Sequence, residues 1–274
     1  MKDSFLSVPV CVWRDKKLIA SLAKNDFKNR FAGSYLGIFW AFVQPVVTIV
    51  LYWFVFEKAL HAGASGLRDG IPIPFVLWLI AGLVPWFYFQ EALGTGTSAF
   101  LEYNFLVKKV VFNISILPVV KIVSGLFVHI FFLLFMLVMY TALGFFPHIY
   151  ALQIFYYSFC MICFVTGLVY ATSAIVIFFR DLSQIINISM QVLMWATPIM
   201  WDINAFDPDS IIVKILRLNP MFYVIQGFRD SMIYDVWFFE RPGMTAYFWC
   251  VTLVCFLIGT TVFRKLKTHF ADVL

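Results

Sequence analysis

The sequence predicts an all-α polytopic membrane protein with six transmembrane helices. Of its 274 residues, 62% are hydrophobic and only 13% are charged. Between Lys121 and Arg180, 58 consecutive residues include no Asp, Glu, Lys or Arg. One helical crossing of about 30 Å of hydrocarbon takes roughly 20 residues, so this run is long enough for two crossings. Pro147, near its middle, cannot continue a helix and marks the turn between them.

Each charge-poor run predicts one span of a single membrane domain that covers residues 1–274. Six crossings place both termini on one side of the membrane. The segments on that side hold 14 of the Lys and Arg residues and the opposite segments hold six. Because positive charge concentrates on the cytoplasmic side, we expect both termini to lie inside. The predicted spans are 34–57, 73–98, 117–144, 150–178, 182–202 and 243–263.

Residues 14–31 are predicted to form an amphipathic helix. Its apolar side chains fall on one half of the helical wheel, whereas Lys17, Lys24 and Lys28 fall on the other. A basic face opposite a modest apolar face is typical of a helix that lies in the membrane interface against anionic headgroups. The helix is either a simple surface anchor or a place where the same cations also meet a phosphate-bearing substrate.

Two short helices are predicted on the outer side, at 208–218 and 220–233, between the fifth and sixth spans. Asp207 and Asn219 are N-cap residues that each precede a proline at the first helical position. Both pieces are too short to cross the membrane and carry charge, so we expect them to dip into the outer leaflet or lie on it. They act either as a gate to a water-filled path or as a structural lid.

The sequence contains no motif for catalysis or metal binding. It has no His-Glu-x-x-His, no Gly-x-Ser-x-Gly and no phosphate-binding Gly-x-x-x-x-Gly-Lys-Ser/Thr loop. Cys160-x-x-Cys163 lies inside the long apolar run and has no second cysteine pair, which favours packing over metal chemistry. We therefore expect that the chain is not an enzyme, does not hydrolyse nucleotide by itself, has no cofactor of its own and binds no nucleic acid.

Glu91 is the one acidic residue in the interior of a predicted span, since Glu57 and Asp202 are the last residues of theirs. A carboxylate within the membrane is costly, so it is a candidate functional residue that faces the bundle interior or a pore. The alternative is a Glu91 that sits near the headgroups or pairs with a neighbour.

Aromatic residues make up 20% of the chain. Many of them fall at predicted span ends, where an interfacial belt is typical. The faces of aromatic rings also stack on sugar rings, so a pore lined by such residues would let a glycan slide. Tyr35, Trp40 and Trp195 are the candidates for channel-lining residues.

Four short motifs occur along the chain in an order that matches a known family. They are the first-span pattern within 26–45 (Arg30, Gly33-Ser34-Tyr35-Leu36-Gly37, Trp40, Pro45), the turn Phe179-Arg180-Asp181-Leu182, Asn219-Pro220 with the helix 222–232, and the ending 263–272. Together they resemble ABC-2 type polysaccharide export permeases, the transmembrane subunits of lipopolysaccharide O-antigen transporters. The resemblance covers essentially the whole chain.

The resemblance implies a homodimeric permease in the bacterial inner membrane, joined by two copies of a separate subunit that binds ATP and Mg. The implied cargo is a polysaccharide linked to undecaprenyl diphosphate. A capsular polysaccharide or teichoic-acid exporter is the alternative within the same superfamily. From other classes, a polytopic lipid-modifying enzyme and a drug or small-ion exporter remain open.

The resemblance also implies roles for particular residues. Lys24, Lys28 and Arg30 would attract the diphosphate at the cytoplasmic entrance. A coupling helix at 101–113, with Glu102, Lys108 and Lys109, would dock on the ATPase. Arg180 and Asp181 would form a cytoplasmic turn, and the outer gate would include Asn219, Pro220, Phe222 and Arg229.

Overall fold

The computed structural model describes residues 7–30, 35–61, 66–68, 70–105 and 113–273. This described part of the chain is 81% helical, in agreement with the predicted all-α membrane fold. Its α-helices are α1 (Ser7–Arg14), α2 (Lys16–Arg30), α3 (Trp40–Trp53), α4 (Phe75–Thr97), α5 (Ala99–Glu102), α6 (Leu117–Ala142), α7 (Gln153–Ile175), α8 (Leu182–Ala196), α9 (Ile211–Arg217), α10 (Pro220–Arg229), α11 (Pro242–Lys267) and α12 (Phe270–Val273).

Shorter elements extend several of these helices. A 3₁₀ turn before α3 and a π-helical turn after it make one continuous helix, Gly37–Ala59. Similar turns lengthen the N-termini of α6 and α7. Two short antiparallel strands, β1 (Leu67–Arg68) and β2 (Ile71–Pro72), pair in the loop between α3 and α4.

Five helices in the described part of the chain are long and apolar enough to cross a membrane. They are Gly37–Ala59, Phe75–Thr97, Ile114–Ala142, Ile149–Ile175 and Pro242–Lys267. A sixth crossing is obtained only if Ile211–Arg217 and Pro220–Tyr234, which bend by 85° at their junction, count as one broken span.

The predicted fifth span, 182–202, is not formed as one continuous helix. α8 ends at Ala196 after 15 residues, which is about 22 Å and short of a full crossing. Thr197 has an extended backbone, with φ −86° and ψ 135°, and Pro198 follows it. A residue before proline is pushed out of the helical region by the proline ring, and this ends α8 early.

The first outer helix starts later than predicted. Asp207 accepts a hydrogen bond from the Asp209 backbone amide at 3.0 Å, and this places Pro208 in a turn. The helix begins at Ile211, where the Ser210 hydroxyl accepts from the Ile212 amide. Local bonding by Asp207 therefore competes with helix initiation at this point.

The second outer helix begins where it was predicted to begin. The Asn219 side chain caps α10 by accepting from the Met221 amide at 3.0 Å, with Pro220 at the first helical position. After Arg229 the helix widens into a π-helical turn, Asp230–Tyr234.

The core is built around α4, which packs against α6, α7 and α10. The closest helix pair is α7 with α11. A Cβ atom on Gly259 would lie 2.1 Å from the carbonyl oxygen of Gly167, so only glycine permits this approach.

α2 is a separate helix packed against the end of the bundle. Its apolar residues Ile19 and Ala23 are buried in a cluster with residues of α5, α6, α7 and α11, including Phe100, Leu117 and Phe263. Part of the apolar face of the predicted interface helix is therefore covered by the protein itself, while Leu18 stays exposed.

Candidate functional site

Five charged side chains form a network where α2 meets α4, α5 and α6. This charge network consists of Asp26 and Arg30 from α2, Glu91 from α4, Glu102 from α5 and Lys121 from α6. Asp26 and Arg30 are four residues apart and so project from the same face of α2. The network joins a helix near the N-terminus to two predicted membrane spans.

Lys121 lies at the centre of the network. Its side chain is only 4% exposed, and its ammonium contacts Asp26 Oδ1 and Glu102 Oε2, each at 2.5 Å. The Tyr103 hydroxyl also donates to Asp26 Oδ1, at 2.7 Å. A buried lysine with two carboxylate partners is satisfied electrostatically, which explains how the fold accommodates it.

Asp26 stays ionised in this setting. Burial of the carboxyl would raise its pKa, but the hydrogen bonds from Lys121 and Tyr103 outweigh burial, so the pKa of Asp26 lies below its ordinary value. The charge on Asp26 is thus available to hold the α6 lysine.

Glu91 pairs with Arg30, whose guanidinium donates to the Glu91 carboxylate. Arg30 Nη2 also lies 3.6 Å from Asp26 Oδ2. Glu91 is thus paired, and it also lines the cavity described below, so its functional role stays a prediction.

The three cations predicted at the entrance are not grouped. Lys24 and Lys28 are exposed, whereas Arg30 turns toward the network and is 25% exposed. Positions 24 and 28 share one face of α2 because they are four residues apart, and Arg30 belongs to the face that also carries Asp26.

A cavity of 470 Å³ opens between α3, α4, α6 and α8 beside the Arg30–Glu91 pair. Its wall combines amide, hydroxyl and aromatic side chains, which include Gln44, Thr48, Tyr52, Phe87, Gln90 and His129. Trp40 borders it from α3 and Met194 borders it from α8. Such a mixed lining suits polar, uncharged groups together with an apolar surface.

The three predicted channel aromatics are all on the outside of the single chain. Tyr35 is fully exposed, and Trp40 and Trp195 are 50% and 57% exposed. Only Trp40 lines the cavity described above.

Arg229 is buried where α10 meets α4 and the segment after α8. Its guanidinium donates to the carbonyl oxygens of Pro198 at 2.7 Å and Ile199 at 2.8 Å, and it stacks 3.4 Å from the centre of the Trp78 ring. Both carbonyl groups lie just after the end of α8, outside any helix. Arg229 therefore ties the break after α8 to α10 and α4.

The other predicted gate residues connect the same elements. The Asn219 amide donates to Thr197 Oγ1 at 2.8 Å, and Pro220 begins α10. Phe222 is buried in a small cluster with Ile203 and Val213.

The remaining predicted residues are those that the sequence analysis assigned to the cytoplasmic side. Arg180 and Asp181 are exposed in the turn before α8. Glu102 belongs to the charge network and is 50% exposed. Lys108 and Lys109, with most of the predicted coupling helix 101–113, lie outside the described residues.

Sequence reasoning missed several polar contacts. Lys121 marked the end of the charge-free run, and its position inside a predicted span was the signal that a buried cation needs a carboxylate partner. On the outer side, Asp230 pairs with Arg241 at 2.8 Å. Arg68, from β1, is 4% exposed and donates to the carbonyl oxygens of Met232 and Phe146.

Within the described residues, no group of three or more His, Cys, Asp or Glu side chains is arranged to hold a metal ion. The candidate site is instead a set of ion pairs between helices, beside a cavity. The bent pair of helices Ile211–Arg217 and Pro220–Tyr234 forms a second candidate region. Such an arrangement of ion pairs and cavity can bind and position a ligand, and the acid–base groups in the cavity wall include His129 and Glu91, which is paired with Arg30.

Comparison with known proteins places these features in a family. Residues 17–233 match the family described as ABC-2 type transporter. The chain is 26% identical over 261 residues to the O-antigen export system permease protein RfbA of Myxococcus xanthus, covering 95% of this chain and 96% of that one. It is 25% identical over 264 residues to the protein of the same name from Klebsiella pneumoniae, covering 94% and 95%.

Proposed function

The chain belongs to the ABC-2 type transporter family, and from this premise we propose that it is the permease subunit of an O-antigen exporter. The observation that carries the proposal is the match along nearly the full length of O-antigen export permeases. The cargo is a polysaccharide linked to undecaprenyl diphosphate, which crosses the bacterial inner membrane toward the outer side. A separate subunit binds ATP and Mg and supplies the energy.

The basic face of α2 is the proposed entrance for the diphosphate, with both termini of the chain in the cytoplasm. Lys24 and Lys28 support this role because they are exposed on one face. Each such cation near a membrane surface contributes about 1 kcal/mol toward an anionic headgroup. Arg30 acts differently, because its pairing with Glu91 and Asp26 holds α2 against the bundle.

Two copies of the chain form the proposed transport path. In the helix Gly37–Ala59, only 11% of an apolar 18-residue stretch is buried within the chain. α8 exposes Ile188, Val192 and Trp195. A second copy that covers these faces would bring Tyr35, Trp40 and Trp195 to the shared interface. Their aromatic faces would then offer stacking surfaces for sugar rings.

The outer segment is the proposed gate. Its two helices bend by 85° and are held to the end of α8 by Arg229 and Asn219. A break held by a few hydrogen bonds is suited to a hinged opening when the two permease copies move. The coupling segment 101–113 docks on the ATP-binding subunit and starts that movement.

The test is co-expression of this chain with its ATP-binding subunit in a strain that lacks its own O-antigen permease. We expect surface polysaccharide to be restored only when both proteins are present, and the purified complex to carry a lipid-linked glycan that mass spectrometry identifies. The control is an ATP-binding subunit whose phosphate-loop lysine is replaced. Restored display without ATP hydrolysis would contradict the proposal, and a bound teichoic-acid or capsule precursor would change the cargo.

A further inference from the structure

We propose that Lys121 is a positioning residue that couples the segment after α5 to α2. The inference rests on the proposed function, since it concerns how movement at the ATPase-docking segment reaches the helix at the entrance. Its basis is the contacts of Lys121 and of the residues on either side of it.

Two consecutive residues, Glu102 and Tyr103, both reach Asp26 on α2. Tyr103 does so directly, through its hydroxyl at 2.7 Å from Asp26 Oδ1. Glu102 does so through Lys121, whose ammonium bridges the two carboxylates. Residues near the start of the predicted docking segment, 101–113, are therefore connected to α2 by a direct bond and by a bridged one.

The two carboxylates that Lys121 bridges differ in their surroundings. The Asp26 side chain is 6% exposed, whereas that of Glu102 is 50% exposed. The buried contact is the stronger one, because a bond between charged groups is worth more where water is excluded. Lys121 should therefore keep its contact with Asp26. The contact with Glu102 is the one that changes when the docking segment moves.

The position of Lys121 on α6 determines how α2 responds when Glu102 is displaced. Lys121 projects from α6, which is part of the span Ile114–Ala142, so its backbone is held by the bundle. Displacing Glu102 either breaks a charge-assisted bond or carries the lysine, and with it Asp26, along. Because Arg30 on the same face of α2 is paired with Glu91, α2 then turns or shifts as one unit.

Lys267 provides a matched control. It lies at the end of α11, and its ammonium donates to Ser115 Oγ at 3.3 Å, whereas no ion pair joins it to α2 in the described part of the chain. Replacing Lys267 removes a similar charge without breaking the bridge.

The first test measures coupling in the full complex with its ATP-binding subunit. In Lys121→Met we expect ATP hydrolysis within about twofold of wild type, while polymer exported per ATP falls by about three- to thirtyfold. Lys121→Arg should restore most of the export, because it keeps the charge. Glu102→Gln should give a smaller loss, and Lys267→Met should give none.

Glu102→Gln keeps this test decisive even if Lys121→Met fails to insert, since Glu102 is half exposed and its replacement leaves the buried pair intact. Normal export per ATP in Glu102→Gln would overturn the proposal. An equal loss in Lys267→Met would overturn it as well. Failure of the proposed function looks different, because wild type itself would then show no ATP-dependent export.

The second test needs no partner. Spin labels at Lys17→Cys and Phe105→Cys, in a background without the native cysteines, report the distance between α2 and the segment after α5; both sites are exposed. We expect a narrow distance distribution in the wild-type background and a clearly broader one with Lys121→Met. Identical distributions would show that Lys121 does not hold the two segments together.

Discussion

The first and second spans are both apolar helices of 23 residues, yet the protein uses them in opposite ways. In an apolar 18-residue stretch of Phe75–Thr97, 78% is buried inside the chain, whereas only 11% of the corresponding stretch of Gly37–Ala59 is buried. The more hydrophobic helix of the two is the one left outside. Hydrophobicity therefore indicates that a helix is in the membrane and says little about which neighbour covers it.

The physical reason is that lipid tails are as apolar as the core, so burial between helices follows shape and polar pairing. The second span carries Gly82, which lies against Arg229, and Tyr88, whose hydroxyl donates to the Ile122 carbonyl. The first span presents apolar side chains outward, such as Val50, Leu51 and Phe54.

The strongest test of the buried region is Arg229→Met. This change removes both donors to the carbonyl groups of Pro198 and Ile199 and the stacking on Trp78, and we expect a loss of about 3–5 kcal/mol in stability. Thermal unfolding in detergent and protease sensitivity of the outer segment are the measurements. Arg217→Met, at an exposed position, is the control. Equal unfolding of the two variants would contradict the structural role of Arg229.

A matched pair of substitutions then compares the two spans directly. Leu79→Ala in the second span removes a fully buried side chain and should cost about 2–5 kcal/mol. Leu51→Ala in the first span removes one that is 55% exposed and should change the stability of the single chain by less than about 0.5 kcal/mol. Similar losses in urea or thermal unfolding would mean that the first span is covered within the chain.

The exposed face of the first span predicts where a second copy binds. Val50→Ala, Leu51→Ala and Phe54→Ala together should weaken dimerisation by about 1–3 kcal/mol and leave the fold of each copy unchanged. Subunit counting by photobleaching in lipid bilayers measures this.

The control for that experiment is a triple alanine variant on the exposed face of α6, at Ile130, Leu134 and Val138. Lipid is expected to cover this face, so its replacement should leave the dimer fraction as it is. A larger loss of dimer in the α6 variant would indicate that the interface lies on α6 and not on the first span.

α2 repeats the same contrast on a smaller scale, with one face exposed and the other packed. Lys24→Ala with Lys28→Ala should lower surface polysaccharide, since each cation contributes about 1 kcal/mol to holding an anionic headgroup, and should leave membrane insertion unchanged. Arg30→Ala should instead loosen α2, which limited proteolysis detects. Normal surface polysaccharide in the double lysine variant would contradict the proposal that these lysines form the entrance.

Much of the fold could be predicted from the sequence, because a membrane span depends on local properties. A run of apolar residues of sufficient length becomes a helix wherever its neighbours lie, and the cap at Asn219 depends only on residues next to it. The early end of α8 was also encoded locally, in the proline at 198, and was missed because the run of apolar residues continues past it.

The charge network and the position of Arg229 could not be predicted in this way. Lys121 and Asp26 are 95 residues apart, and Arg229 is about 30 residues from the carbonyl groups that it binds. The sequence by itself determined that these polar groups had to be paired, since an unpaired charge inside a bundle is too costly to persist. Only the tertiary structure decided the partners, because helix packing sets which faces meet, and many packings satisfy the same pattern of apolar and charged residues.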